Sequence, residues 1–225
     1  MKKTSINLVA FLLFFATAFT VSCKKEDKKT DNGFSEEINS IISQQLMDSL
    51  RKKGMVIYNG KTPPIVNGVY LVNPYTLVSP YGPSDGWDVG HVISDYKYKM
   101  YDQTAGDVKI DYKQIGGSDE GNGVGSFISG TGNKFSIFSE LAGTSGSVSY
   151  THVAVISGEI TADGIKDFQY GFILTKKTGD DNNTVLIPVG SSRIWDDGDN
   201  LADKAAEFKP VNMPSQNMPS MFSIK

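Results

Sequence analysis

The chain has one cysteine, two histidines and two tryptophans. A single cysteine excludes any intrachain disulfide. His91 and His152 stand far apart and in no ligand-spacing motif, so the histidines alone do not outline a zinc centre. No Gly-x-Ser-x-Gly elbow occurs, and Gly125-Ser126-Phe127-Ile128-Ser129-Gly130 misses that spacing. Gly123-Val124-Gly125 and Gly130-Thr131-Gly132 lack the third glycine and the strand-to-helix setting of a dinucleotide site, and no phosphate-loop lysine follows them. The 22 basic and 25 acidic residues are interspersed, with no basic stripe, so nucleic acid is not an expected partner. The one long apolar run, residues 6–21, barely reaches the about 20 residues of a membrane span and carries Thr17 and Thr20.

That run has a different meaning. It follows Met1-Lys2-Lys3 and ends at Val21-Ser22-Cys23-Lys24-Lys25, the order of charged start, apolar stretch and small-residue cleavage site that marks a secretory leader. The segment resembles the leader and lipobox of bacterial lipoproteins. The resemblance implies removal of residues 1–22 and a thioether-linked diacylglycerol on Cys23, which consumes the only thiol. Two or three acyl chains hold a protein on a membrane where one gives marginal binding. Cys23-Lys24-Lys25-Glu26-Asp27 is similar to the charged export tag of surface lipoproteins of the Bacteroidetes, which implies the outer membrane and a cell-surface position. Residues 23–34 are polar and aperiodic, and read as a flexible tether.

Ser35-Glu36-Glu37 reads as an N-cap with an acidic first turn, and Ile38, Ile41, Ile42, Leu46 and Leu50 share one helical face. Arg51-Lys52-Lys53-Gly54 ends the pattern, which predicts one amphipathic helix over 35–53 packed on the rest of the domain. After Pro63-Pro64 the chain turns to short β-type runs separated by Gly, Asp and Asn. Strands are expected over 66–72, 93–101, 108–114, 123–129, 134–140, 147–161, 165–176 and 184–194. Val153 and Val155 alternate with His152, Ala154 and Ile156, so that strand is apolar on both faces. The glycines of 116–132 suggest bends or bulges. With hairpin-length links and no crossover helix, the sheet is expected to be antiparallel. The fold class is therefore mainly all-β, an up-and-down barrel of about eight strands behind one helix, with a β-sandwich as the alternative. Residues 35–208 form one domain. The proline-rich residues 209–225 are expected to be a loosely ordered tail, although Met221 and Phe222 are able to dock on an apolar patch.

Eight such strands behind a short helix resemble the lipocalin-like barrels of the calycin superfamily. That family opens on Gly-x-Trp and packs a basic residue from the last strand across the ring. Here Gly68-Val69-Tyr70 and Arg193 match, with Tyr in place of Trp. The resemblance implies that Arg193 stacks on Tyr70 to close the barrel floor. Residues 63–203 also resemble uncharacterised Bacteroidetes lipoproteins that begin Pro-Pro-x-x-x-Gly-x-Tyr and carry Ile156-Ser157-Gly158 and Gly164-Ile165.

Asp196-Asp197-Gly198-Asp199-Asn200 supplies hard oxygen donors around a glycine. Asp197, Asp199 and Asp203 are candidate calcium ligands, without the twelve-residue loop and terminal Glu of an EF-hand. An Asp-rich cap leading into a short helix, 201–208, accounts for the same residues. Tyr70, Trp87, Tyr96 and Tyr98 are candidate ligand-contacting rings, with 74–92 as a lid over a barrel mouth. The leading expectation is a non-enzymatic, membrane-anchored lipoprotein that binds a small apolar or amphiphilic molecule in its barrel. A second is an adhesion or complex subunit with a filled barrel that contacts an envelope protein or glycan. A hydrolase built on paired carboxylates is the weakest.

Overall fold

A computed structural model describes residues 32–208 and 218–225. Cys23, the leader and the tether up to residue 31 lie outside the described residues, as does 209–217. Among the described residues the architecture is all-β with two short helices. These are α1 (Glu36–Ile41) and α2 (Gln44–Lys52), followed by β1 (Lys61–Thr62), β2 (Gly68–Val72), β3 (Tyr75–Ser79), β4 (Val92–Ile93), β5 (Tyr96–Tyr101) and β6 (Lys109–Gln114). Then come β7 (Glu120–Thr131), β8 (Lys134–Ser145), β9 (Val148–Ile160), β10 (Gly164–Thr178), β11 (Ser192–Asp197) and β12 (Leu201–Lys204).

The strands make a single sheet that closes on itself through β12, which pairs with both β2 and β10. Taken as staves, the first is β2 continued by β3, the second β4 continued by β5, and the last β11 continued by β12. Between them β6, β7, β8, β9 and β10 each run antiparallel to the next. That makes eight staves in up-and-down order, one closed sheet rather than the two of a sandwich. It is irregular, because three staves are broken side by side at Asn73-Pro74, Ser94-Asp95 and residues 198–200. Asn73 N–H donates to Asp197 Oδ2 (3.0 Å), Asn73 Nδ2 to Asp95 Oδ2 (2.5 Å) and Gly198 N–H to Pro74 O (2.8 Å), so the breaks are sewn to one another. The glycine-rich segment does hold a bulge, between Gly123 and Gly125.

Several expectations are corrected. The helix breaks in two at Ile42-Ser43, because the Ser43 hydroxyl accepts from Leu46 N–H (3.3 Å) and starts a second helix. Ile42, Met47 and Leu50 are buried and Leu46 is exposed, a stripe reset by that break. The expected helix 201–208 begins instead with strand β12, which the two neighbouring staves claim. The eighth stave starts at Ser192, not 184, since 179–191 is a loop pinned by Asp180. Part of the expected lid is strand β3. The helices lie on the outer face of the sheet, where Phe34, Ile38, Met47 and Leu50 pack against Phe138, Val153, Val155 and Ile173. This is why β9 is apolar on both faces: Ala154 and Ile156 face the interior with His152. Phe34 at the end of the expected tether is buried, edge-on to Phe138 at 5.2 Å.

Candidate functional site: the upper end of the barrel

The loops 80–91, 115–119, 146–147 and 179–191 gather at one end, the upper end. The C-terminal residues 218–225 close it. A short bridge from Ser223 to Leu186 and backbone bonds Ile187 N–H to Phe222 O (2.9 Å) and Ile224 N–H to Val185 O (3.0 Å) tie them to the last loop. Ser220, Met221 and Phe222 are fully buried. The tail is thus docked at its end through Met221 and Phe222, while 209–217 is outside the described residues.

Polar side chains hold the tail. The Arg193 guanidinium is fully buried and donates through Nη1 to Met221 O (3.1 Å) and Ser223 O (2.7 Å). Its Nε and Nη2 pair with Asp85 (2.8 and 2.5 Å). Burial alone would raise the Asp85 carboxyl, but the guanidinium and the amides of Tyr81 and Trp87 outweigh it and hold the group below the usual carboxylate range. Trp87 lies over the guanidinium at 4.2 Å and stacks on His91 at 4.6 Å. Gln114 Nε2 donates to Pro219 O (2.7 Å), and Met221 N–H donates to Tyr96 Oη (3.1 Å). Gly86 permits the close approach, because a Cβ there would meet Ile224 O at 2.5 Å.

Below the tail the interior is lined with rings and hydroxyls. Asp119, fully buried, accepts from Tyr96 Oη (2.6 Å) and from Tyr150 Oη, so Tyr112, 2.5 Å from Tyr150 Oη, donates to Tyr150. Burial raises the Asp119 carboxyl to about 7, against the lowering pull of Tyr150 and Tyr96. Tyr75 and Tyr98 share a 2.8 Å hydroxyl contact, and Tyr75 Oη reaches Met221 Sδ at 3.6 Å. His152 is also fully buried. Its Nε2 lies 2.6 Å from Tyr170 Oη, its Nδ1 has no partner among the described residues, and burial pushes its pKa down to about 3. The Phe222 ring sits 4.4 Å from Tyr150, 4.8 Å from His152 and 4.4 Å from Phe172.

Of the four candidate rings, Tyr70, Tyr96 and Tyr98 are interior. Tyr96 touches the tail directly, Tyr98 touches it through Tyr75, and Trp87 covers Arg193 from the lid loop. Tyr70 is elsewhere, its hydroxyl donating to Val66 O (2.9 Å) at the lower end. The expected stacking of Arg193 on Tyr70 is therefore corrected. Arg193 stands at the start of the eighth stave, beside Ile194 that pairs with Ser79, whereas Tyr70 pairs with Lys204 at its finish. The closed sheet puts the two at opposite ends. Gly68 stays at the lower end, its Cα hydrogen side facing the Tyr70 ring, where a Cβ would meet Tyr70 Oη at 2.9 Å.

The Asp-rich turn uses its carboxylates on main-chain N–H groups, its own and that of Asn73. Asp197 is buried and accepts from Asn73 and Asp199 N–H, and Asp199 Oδ1 accepts from Leu201 N–H. Burial first, then Asp199 beside it, raises Asp197. Asp203 sits in β12, paired with Leu71 and Gly164, and among the described residues no three His, Cys, Asp or Glu side chains converge as a metal would require. Sequence reasoning missed Asp85, Gln114 and Asp119, which read as ordinary turn and strand residues, and passed over His152 as a core histidine. The only signal for them was their placement next to aromatic strands.

Among the described residues no helix is long and apolar enough to cross a membrane. The site defines a closed β-sheet protein whose upper end is sealed by its own C-terminal segment. Comparison with protein-family models, curated proteins and solved structures finds no match for this chain.

Proposed function

We propose that the chain is a non-enzymatic lipoprotein, anchored through Cys23 to the outer membrane, which binds a small amphiphilic molecule at the upper end of its lipocalin-like barrel. The leader and lipobox support the anchor. The observation that carries the binding reading is that Met221 and Phe222, two fully buried apolar side chains of the upper interior, come from the terminal segment and not from a stave. Around them Arg193 Nη1 and Gln114 Nε2 meet only main-chain carbonyls of that segment, and Tyr96 Oη, which donates to Asp119, accepts from Met221 N–H. Convergent polar groups around an apolar slot are the usual make-up of a small-molecule site. A second reading, a solid barrel that contacts another envelope component, is favoured by the continuous ring contacts of the interior. Exposed Val89, Val185, Val189 and Met218 in the loops and tail of the same end, with Val92 of β4, favour it too.

Native mass spectrometry of residues 32–225 recovered from cells, set against the denatured mass, separates the two. A co-purifying species released on denaturation is expected for the carrier. A bare mass shifts the assignment to the contact protein.

A further inference from the structure

The tail satisfies the upper end incompletely: Gln114 Oε1 and His152 Nδ1, both buried, have no partner among the described residues. Arg193 Nη1, Gln114 Nε2 and Tyr96 Oη all find partners on the main chain of residues 219–223. The imidazole of His152 does not. It is fully buried, its Nε2 is engaged by Tyr170, its Nδ1 has no partner among the described residues, and the ring as a whole lies among Tyr112, Tyr150, Phe172 and Phe222 at centroid distances of 4.8–6.0 Å. A buried polar atom without a partner costs about 1–3 kcal/mol, and native proteins rarely keep one without a use. Phe222, the nearest of these rings to the imidazole, has no polar atom to offer. Beside the tail an open groove of about 490 Å³, bordered by Ser118, Ser145, Ser147 and Thr184, leads from solvent to Met218 and Ser223.

We infer that the slot filled by Phe222 is a binding site for a hydroxyl-bearing aromatic ligand, whose ring replaces that of Phe222 and whose hydroxyl meets the free nitrogen of His152. A phenolic hydroxyl is both donor and acceptor, so it suits either neutral tautomer of the imidazole. Once the terminal segment is displaced, Arg193 and Gln114 Nε2 are left to bind acceptor oxygens elsewhere on the ligand, in the place of the carbonyls of Pro219, Met221 and Ser223. The inference rests on the carrier reading above and gives it a ligand class.

The test uses residues 32–225 with Phe222→Ala, which empties the slot while the rest of the tail remains, and two probes, p-cresol and toluene, that differ by the hydroxyl. p-Cresol should bind saturably and about tenfold more tightly than toluene, the factor a single buried hydrogen bond supplies. It should also move the ¹⁵N resonance of His152 Nδ1, which toluene leaves in place. Adding His152→Phe should abolish the preference and keep toluene binding. The unsubstituted chain should show the same preference for p-cresol at higher concentrations, because the ligand must first displace the Phe222 ring. If Phe222→Ala does not fold, Phe222→Leu, which removes less, carries the same comparison. Equal affinities with an unmoved His152 resonance overturn the ligand class and leave a carrier of plain apolar molecules. Binding of neither probe also overturns it, and the native mass then decides the carrier reading separately.

Discussion

The outer face under α1 and α2 and the upper end under the C-terminal segment are both apolar surfaces covered by chain that is not part of a stave. They are covered by different chemistry. The helices seal their patch dry: Ile38, Ile42, Met47 and Leu50 meet Phe138, Val153, Val155 and Ile173, and among the described residues this cover buries no charged side chain. The tail seals its patch around a buried guanidinium, a buried carboxyl and a partnerless imidazole nitrogen. Dry packing is sufficient to hold a cover in place. A cover that instead encloses ionisable groups carries desolvation costs that packing alone does not require, which fits a surface kept polar for something other than stability.

The sharpest break of this contrast is Asp85→Ala. It leaves the Arg193 charge buried without its carboxylate, and such losses run to about 3–5 kcal/mol. Denaturant unfolding should show a loss near that range, with the tail residues the first to lose amide protection. Leu50→Ala tests the dry side. A cavity under α2 should lower stability by about 3 kcal/mol with the resonances of Tyr150, His152 and Phe222 unchanged. If those resonances move, the two covers are not independent.

The smallest effect separates the two buried titratable groups. Asp119 has a folded pKa of about 7, above its ordinary value of 3.8, so the folded chain holds more protons between those values and stability falls as pH rises through them. His152 has a folded pKa of about 3, below its ordinary 6.5, so the unfolded chain holds more protons between them and stability rises with pH there. The two slopes oppose each other between about pH 4 and 6.5. Relative to the unsubstituted chain, Asp119→Asn should tilt stability upward with pH across that window and His152→Phe should tilt it downward, each by up to about 1.4 kcal/mol per pH unit. Denaturant midpoints taken at three pH values within the window read the sign directly. Parallel profiles for all three chains would show that neither group is as enclosed as described.

The closed antiparallel sheet was legible because alternation survives in short strands: Phe168, Tyr170 and Phe172 all face the interior, as their period of two requires. The two-faced β9 was legible for the same reason, although what covered its outer face was not. Position along a stave was harder. Arg193 looked terminal because Asp196-Asp197-Gly198-Asp199 reads as the end of a strand, and nothing local says that the chain resumes the same stave at Leu201. Ser43 was absorbed into a helical stripe because one serine among apolar residues breaks a period only when its hydroxyl takes the cap. Asp119 and His152 were illegible as a site because what makes them unusual is burial, which pairing across distant strands creates.

The sewn breaks have a mechanical consequence. β10 passes them as one strand with an irregularity at Asp167-Phe168, and carries β12 on its lower half and β11 on its upper half along the same edge. The barrel is in effect two hoops on one mast: the lower hoop is cinched by β12 against β2, and the upper hoop is strung from β11 through β3 to β4. Across the seam the first and last staves are continuous only as covalent chain. The two hoops meet at one level, where the bonds of Asn73 to Asp197 and of Gly198 to Pro74 tie the upper circumference to the lower.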